Sequence, residues 1–156
     1  MASKRTRARA HAAATAHARS CAHALRSGRF QRVVQTSTDG GKSWRGARHD
    51  PTLIEPEPQG CQGSLLVTPS RPAGGGGVLF FCNPSSSARE MLTVRRSDDG
   101  GASWGAALLL EEGPAAYSSL AYAHDGHLLV LYERGRHHQI SLARIPSAPD
   151  GPLGEF

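Results

Sequence analysis

Apolar residues come in short bursts along this chain. "RVVQTS" (32–37), "GSLLVTP" (63–69), "GVLFFCNP" (77–84), "MLTVRRS" (91–97), "YSSLAYA" (117–123), "HLLVLYE" (127–133) and "QISLARI" (139–145) each run six to eight residues. They are rich in Val, Leu and aromatics and are bounded by Gly, Pro, Asp or Ser, which is the pattern of β-strands. "HDG" (124–126) separates two of them at hairpin length. No segment sustains a helical period. The pattern predicts an all-β body built from successive antiparallel hairpins.

One octapeptide occurs twice, as "STDGGKSW" (Ser37 to Trp44) and "SDDGGASW" (Ser97 to Trp104), 60 residues apart. Each copy follows a strand candidate. "DGG" suits a tight turn with positive φ at Gly, the Asp carboxylate accepting N–H bonds inside the turn. The Trp then re-enters a sheet and buries its ring. Ser37, Asp39, Gly41, Trp44 and Ser97, Asp99, Gly101, Trp104 therefore read as structural fasteners. Asp39 and Asp99 as a catalytic carboxylate pair is the competing reading, but equal turns of successive repeats lie apart. A repeat of this size points to a β-propeller.

Composition refines this picture. Of 156 residues, 18 are Gly and 10 are Pro, which suits a turn-rich β protein. The net charge of +5 suggests a nucleic-acid partner, but it sits in one tail. Residues 1–29 hold one Lys and six Arg with no acid, so subtracting +7 from +5 leaves −2 for the rest. This excludes a basic body for nucleic acid. The segment 1–29 is Ala- and Arg-rich and lacks the apolar core of a secretory signal. It reads as a disordered leader or a misread start, with an organelle transit peptide as the alternative. Its His residues (His11, His17, His23) match no metal spacing. Cys21, Cys61 and Cys82 form no metal motif; they read as free thiols, with a Cys61–Cys82 bridge left open. No apolar run spans a bilayer, which leaves peripheral membrane association open. Neither metal nor cofactor is expected.

Ser-x-Asp-x-Gly-x-x-Trp resembles the Asp box of sialidases (neuraminidases), and both copies match it. "QGCQGSLL", "FFCNP", "AREMLTVRRSDDGGASW", "GPAAYSSL" and "LLVLYERG" resemble, in this order, the second half of exo-α-sialidases. The resemblance runs from about Phe30 to Ile145. It implies a partial six-bladed β-propeller, about the last three blades. The domain reading is thus 1–29 leader, 30–146 propeller fragment and 147–156 C-terminal tail. Open faces and edges imply a fragment of low stability.

The resemblance also implies a chemistry. The substrate is a sialoglycoconjugate, whose terminal α-linked sialic acid is released from glycoproteins, gangliosides or oligosaccharides. Planar Arg forks hold its carboxylate. A carboxylate nucleophile would be repelled there, and a Tyr replaces it. Tyr117 in "AAYSSL" matches the nucleophile. Arg89 in "SAREML" and Arg32 in "QRVVQTS" match two of the three carboxylate-binding arginines. Glu133 in "LYERG" matches a Glu that orients the first Arg, and Gln59 matches a residue of the substrate-side loop. The first Arg, the acid/base Asp and the Glu that activates the Tyr have no counterpart, since the first Glu is Glu55. The chain is therefore expected to be an inactive part of a hydrolase. The alternative is a non-catalytic binding module. By resemblance the compartment is cytoplasmic, peripheral membrane or lysosomal.

Overall fold

The computed structural model describes residues 23–25, 30–56, 58, 60–68, 77–105, 107–136 and 138–146. They form nine strands and no helix, so no helix is long and apolar enough to cross a membrane. β1 (His23–Leu25), β2 (Gln31–Thr36) and β3 (Arg45–Ile54) make an antiparallel three-stranded sheet. β4 (Ser64–Val67), β5 (Leu79–Pro84), β6 (Glu90–Ser97), β7 (Ala107–Tyr122), β8 (His127–Arg134) and β9 (Gln139–Pro146) follow as an antiparallel meander. The 16-residue β7 serves two sheets. Its first half pairs with β6, from Ala107 opposite Arg95 to Pro114 opposite Glu90. Its second half pairs with β8, from Ala115 opposite Arg134 to Tyr122 opposite Leu128.

The sheets stack face to face, and β5 shows why. All six of its residues are buried, because successive side chains point to opposite faces and both faces are covered. Leu79 and Phe81 pack with Val34 and Leu53 of the first sheet and with Trp104. Val78, just before β5, and Phe80 and Cys82 within it pack with Leu128, Val130, Tyr132 and Ile145 of the last sheet. A sheet sandwiched between two neighbours, with the strand–Asp box–strand unit occurring once in β2–β3 and again in β6–β7, is a partial β-propeller. The outer face of the last sheet is uncovered, with Ile140 72% and Leu142 64% exposed.

Two features bear on the sequence reading. His23–Leu25 pairs with Val33–Gln35 of β2, so three residues of the expected leader belong to a sheet. The rest of that reading for 1–29, like the 147–156 tail and Gln59, lies outside the described residues. Cys61 and Cys82 are free and buried; the open alternative of a bridge between them is not realised. Burial pushes the Cys82 thiol up to about 12, against the Ser118 hydroxyl, which pulls it down.

Candidate functional site

An antiparallel meander puts alternate connections at opposite ends of its sheets. Both Asp boxes lie at one end. The segment 60–63, the β5–β6 turn, the middle of β7 and the end of β8 lie at the other. An eight-residue strand such as β6 separates the ends by roughly 20–25 Å.

The two Asp boxes are nearly superimposable in their bonding. The Ser97 hydroxyl donates to Asp99 Oδ1 at 2.8 Å and accepts from Gly101 N at 2.8 Å. Asp99 then accepts from Ser103 N at 2.9 Å and from the Ser103 hydroxyl at 2.6 Å. In the first copy the Ser37–Asp39, Gly41–Ser37 and two Ser43–Asp39 bonds have the same lengths. Gly40, Gly41, Gly100 and Gly101 all have φ between 71° and 88°, a region that favours Gly. The Ser43 hydroxyl, then the Ser43 amide and the Ser37 hydroxyl, hold Asp39 well below the usual carboxylate range. For Asp99 partial burial pulls the other way, but the Ser103 and Ser97 bonds bring it to about 2. Trp104 packs on Phe81, ring centroids 5.8 Å apart. Trp44 is half-buried. The carboxylates are saturated by their own loops, which makes the boxes turns.

At the opposite end Tyr117 stands on a β-bulge. Ala115 pairs with Arg134 and Ser118 with Tyr132, so Ala116 and Tyr117 together oppose Glu133. A bulge re-aims a side chain: Ala116 is buried while Tyr117 is 44% exposed. The Glu133 carboxylate accepts from Tyr117 N at 3.3 Å. Arg89 reaches the same place from the β5–β6 turn, its guanidinium 5.4 Å from the Tyr117 ring centroid. The Arg89 carbonyl accepts from Ala115 N at 2.9 Å, which docks this turn onto β7. Met91, two residues on, has φ 56°, and the β6–β7 register shifts on either side of Leu92.

Cys61 lies under this group. Burial pushes its thiol up; the nearby charges of Arg89 and Arg32 pull it down, and Glu133 pushes it up again. Arg32 is only 3% exposed. Its Nε lies 3.1 Å from Glu55 Oε2, its Nη2 donates to the Cys61 carbonyl, and its guanidinium lies 5.7 Å from the Phe81 ring centroid. The fold therefore brings together Tyr117, Arg89 and Glu133, and places Arg32 below them in a buried ion pair. Sequence reasoning missed two members. Glu55, 2% exposed, had no signal beyond being the first Glu. Gln62 was legible only as part of "QGCQGS". Its Nε2 donates to the Ser118 carbonyl and its Oε1 accepts from Ser118 N, each at 3.1 Å. Among the described residues no group of three His, Cys, Asp or Glu is placed to hold a metal ion.

The model of the BNR repeat-like domain matches residues 3–130. The chain belongs to the BNR repeat-like domain family. The match begins inside the segment expected to be a leader. Among solved structures, a Hadza microbial sialidase, Hz136, is 33% identical with a TM-score of 0.60, over 74% of this chain and 23% of that one. An intramolecular trans-sialidase from Ruminococcus gnavus is 20% identical with a TM-score of 0.63, over 78% and 29%. The NanB sialidase from Streptococcus pneumoniae, as a K499G mutant, is 19% identical with a TM-score of 0.60, over 74% and 19%. This BNR repeat-like chain therefore spans less than a third of the length of these relatives. They are sialidases, the family that the motifs resemble. Comparison with curated protein sequences finds no match.

Proposed function

We propose that this chain supplies the nucleophile side of an exo-α-sialidase site, acting on terminal α-linked sialic acids once the rest of the propeller is present. The observation that carries the reading is the meeting of Tyr117 and Arg89, a half-exposed phenol beside a guanidinium 5.4 Å from its ring. In this reading Arg89 pairs with the substrate carboxylate through its planar fork. Tyr117 Oη attacks the anomeric carbon as the bond to the leaving oxygen breaks, and water then cleaves the tyrosyl–sugar bond. Glu133 holds the Tyr117 amide and so the bulge. Arg32, already paired with Glu55, supports the floor under Arg89 rather than meeting substrate. The phenol proton and the proton for the leaving oxygen need a base and an acid from elsewhere in the enzyme. Loss of one such group costs about 10²–10⁴ in rate, so the 156-residue chain is expected to bind sialosides weakly and not to turn them over.

The test has two arms. Saturation-transfer NMR with a sialic acid methyl glycoside should show contact with the chain, reduced strongly by Arg89→Ala and restored only in part by Arg89→Lys. In a completed propeller, release of a fluorophore from a sialic acid glycoside should fall at least about a thousandfold in Tyr117→Phe. Turnover by the isolated chain that survives Tyr117→Phe would refute the assignment. Arg89 beside a half-exposed phenol also suits anion binding without chemistry, so a binding module is the second reading. It is favoured if the completed propeller binds sialoside without releasing fluorophore.

A further inference from the structure

We infer that Gln62 is a positioning residue for Tyr117, its carboxamide standing in for a missing strand and locking the bulge that aims the phenol. The inference rests on Tyr117 as the reacting group, and it concerns how the fold chooses that residue. β7 is paired with β6 only as far as Pro114. Beyond that point its second half has β8 along one edge. On the other edge the N–H and C=O of Ser118 need partners, because buried backbone groups are costly when unpaired. A neighbouring strand would offer one acceptor and one donor. The Gln62 carboxamide offers both on one planar group, at 3.1 Å each. Two residues further along the same edge, Leu120 N donates to the Ser64 hydroxyl at 2.9 Å. The Ser118 hydroxyl donates to the Cys82 carbonyl at 3.2 Å, so residue 118 is held from both sides.

The latch matters because the bulge lies immediately before it. Two residues, Ala116 and Tyr117, oppose Glu133, and either is able to take the outward position. In a strand a slip of one residue exchanges the two faces. Slipping here would turn Ala116 towards Arg89 and drive the phenol into the core beneath. Fixing Ser118 sets the phase and leaves Tyr117 outward. Glu in place of Gln62 would lose the donor and set a carboxylate against the Ser118 carbonyl. Met would keep the length and bulk but neither bond.

The experiment uses the full chain, with Gln62→Met and Gln62→Glu, and needs no sialoside. Its readouts are the NMR contact between the Arg89 side chain and the Tyr117 ring, and amide exchange at Ser118 and Leu120. They are taken where the Val94 and Val130 amides remain protected, which reports an intact core. Both variants should lose the Arg89–Tyr117 contact and speed Ser118 exchange about tenfold. Should Gln62→Met not fold, Gln62→Glu decides. Retention of the contact with unchanged Ser118 exchange, in a variant with the core protected, overturns the inference. Because no substrate is involved, a failure here is separate from a failure of the sialidase reading, which shows in turnover.

Discussion

Gly63 offers a stringent check on how the site loop is packed. Its φ lies outside the left-handed region, so Ala meets no backbone strain there, and the cost of Gly63→Ala is steric. A Cβ at this position would lie 2.7 Å and 2.9 Å from two atoms of the Phe81 ring and 3.2 Å from the Cys82 carbonyl. The ring cannot retreat, since Arg32 lies 5.7 Å from its centroid and the Trp104 ring centroid is 5.8 Å away. Overpacking of this kind costs about 1–3 kcal/mol. A Gly→Ala change also restricts the unfolded chain and returns about 0.4–1 kcal/mol. The net expectation is a loss of about 1–2 kcal/mol, a fall in Tm of roughly 3–8 °C for a chain of this size. The assay is thermal unfolding followed by tryptophan emission. The chain has two Trp, so a Trp44→Phe background leaves Trp104, which touches Phe81, as the reporter. Phe81→Leu should cost stability by itself through the cavity it leaves. Combined with Gly63→Ala it should recover about 1 kcal/mol relative to the sum of the two changes. A Tm for Gly63→Ala within about 1 °C of the parent, or strict additivity in the double variant, would refute the reasoning.

Two further outcomes follow from the electrostatics. Asp99 titrates at about 2 against an ordinary 3.8; a lowered folded pKa stabilises above the ordinary value and is lost as pH falls through the folded one. The drop corresponds to about 2.4 kcal/mol, and solvent screening of this exposed carboxylate reduces it to about 1 kcal/mol. Urea titrations between pH 5 and 2 should therefore show a shallower acid loss in Asp99→Asn than in the parent; equal slopes would count against the turn role. The two buried thiols, Cys61 and Cys82, are both pushed up by burial. At pH 8 a thiol reagent should modify them in the folded chain at least about tenfold more slowly than in denaturant, and equal rates would show that the loop over Cys61 is open.

Much of the fold was legible because its signals are local. The alternation in "HLLVLYE" appears as buried Leu128, Val130 and Tyr132 beside outward Leu131. The strands that followed each Asp box were not picked out individually. β3 is an edge strand with most residues exposed, so "RGARHDPTLI" carries no apolar alternation, and Pro51 sits where only an edge tolerates it. The first half of β7 alternates "ALLLEE" with little deep burial, and the strand runs on through Gly113-Pro114, which reads as a turn in sequence. The pairing of His23–Leu25 with β2 has no apolar pattern to announce it in that segment.

What the sequence by itself determined are the features whose bonds close within a few residues. Each Asp box is complete inside its own octapeptide, from the serine hydroxyl to the aspartate to the next serine amide, so the shared Ser, Asp, Gly and Ser positions produced the same bonding. Tyr117 and Arg89 were singled out by their motif contexts. Only the tertiary structure decided what those residues face. Arg32 and Arg89 look alike in sequence, yet one meets Glu55 and the Cys61 carbonyl and the other meets a half-exposed phenol. Gln62 finds Ser118 56 residues away, across sheets whose ends are brought together by stacking. Such partnerships have no period and no local signature. They depend on which strand ends the meander sets side by side, and on the burial that makes an unpaired charge or amide too costly to leave alone.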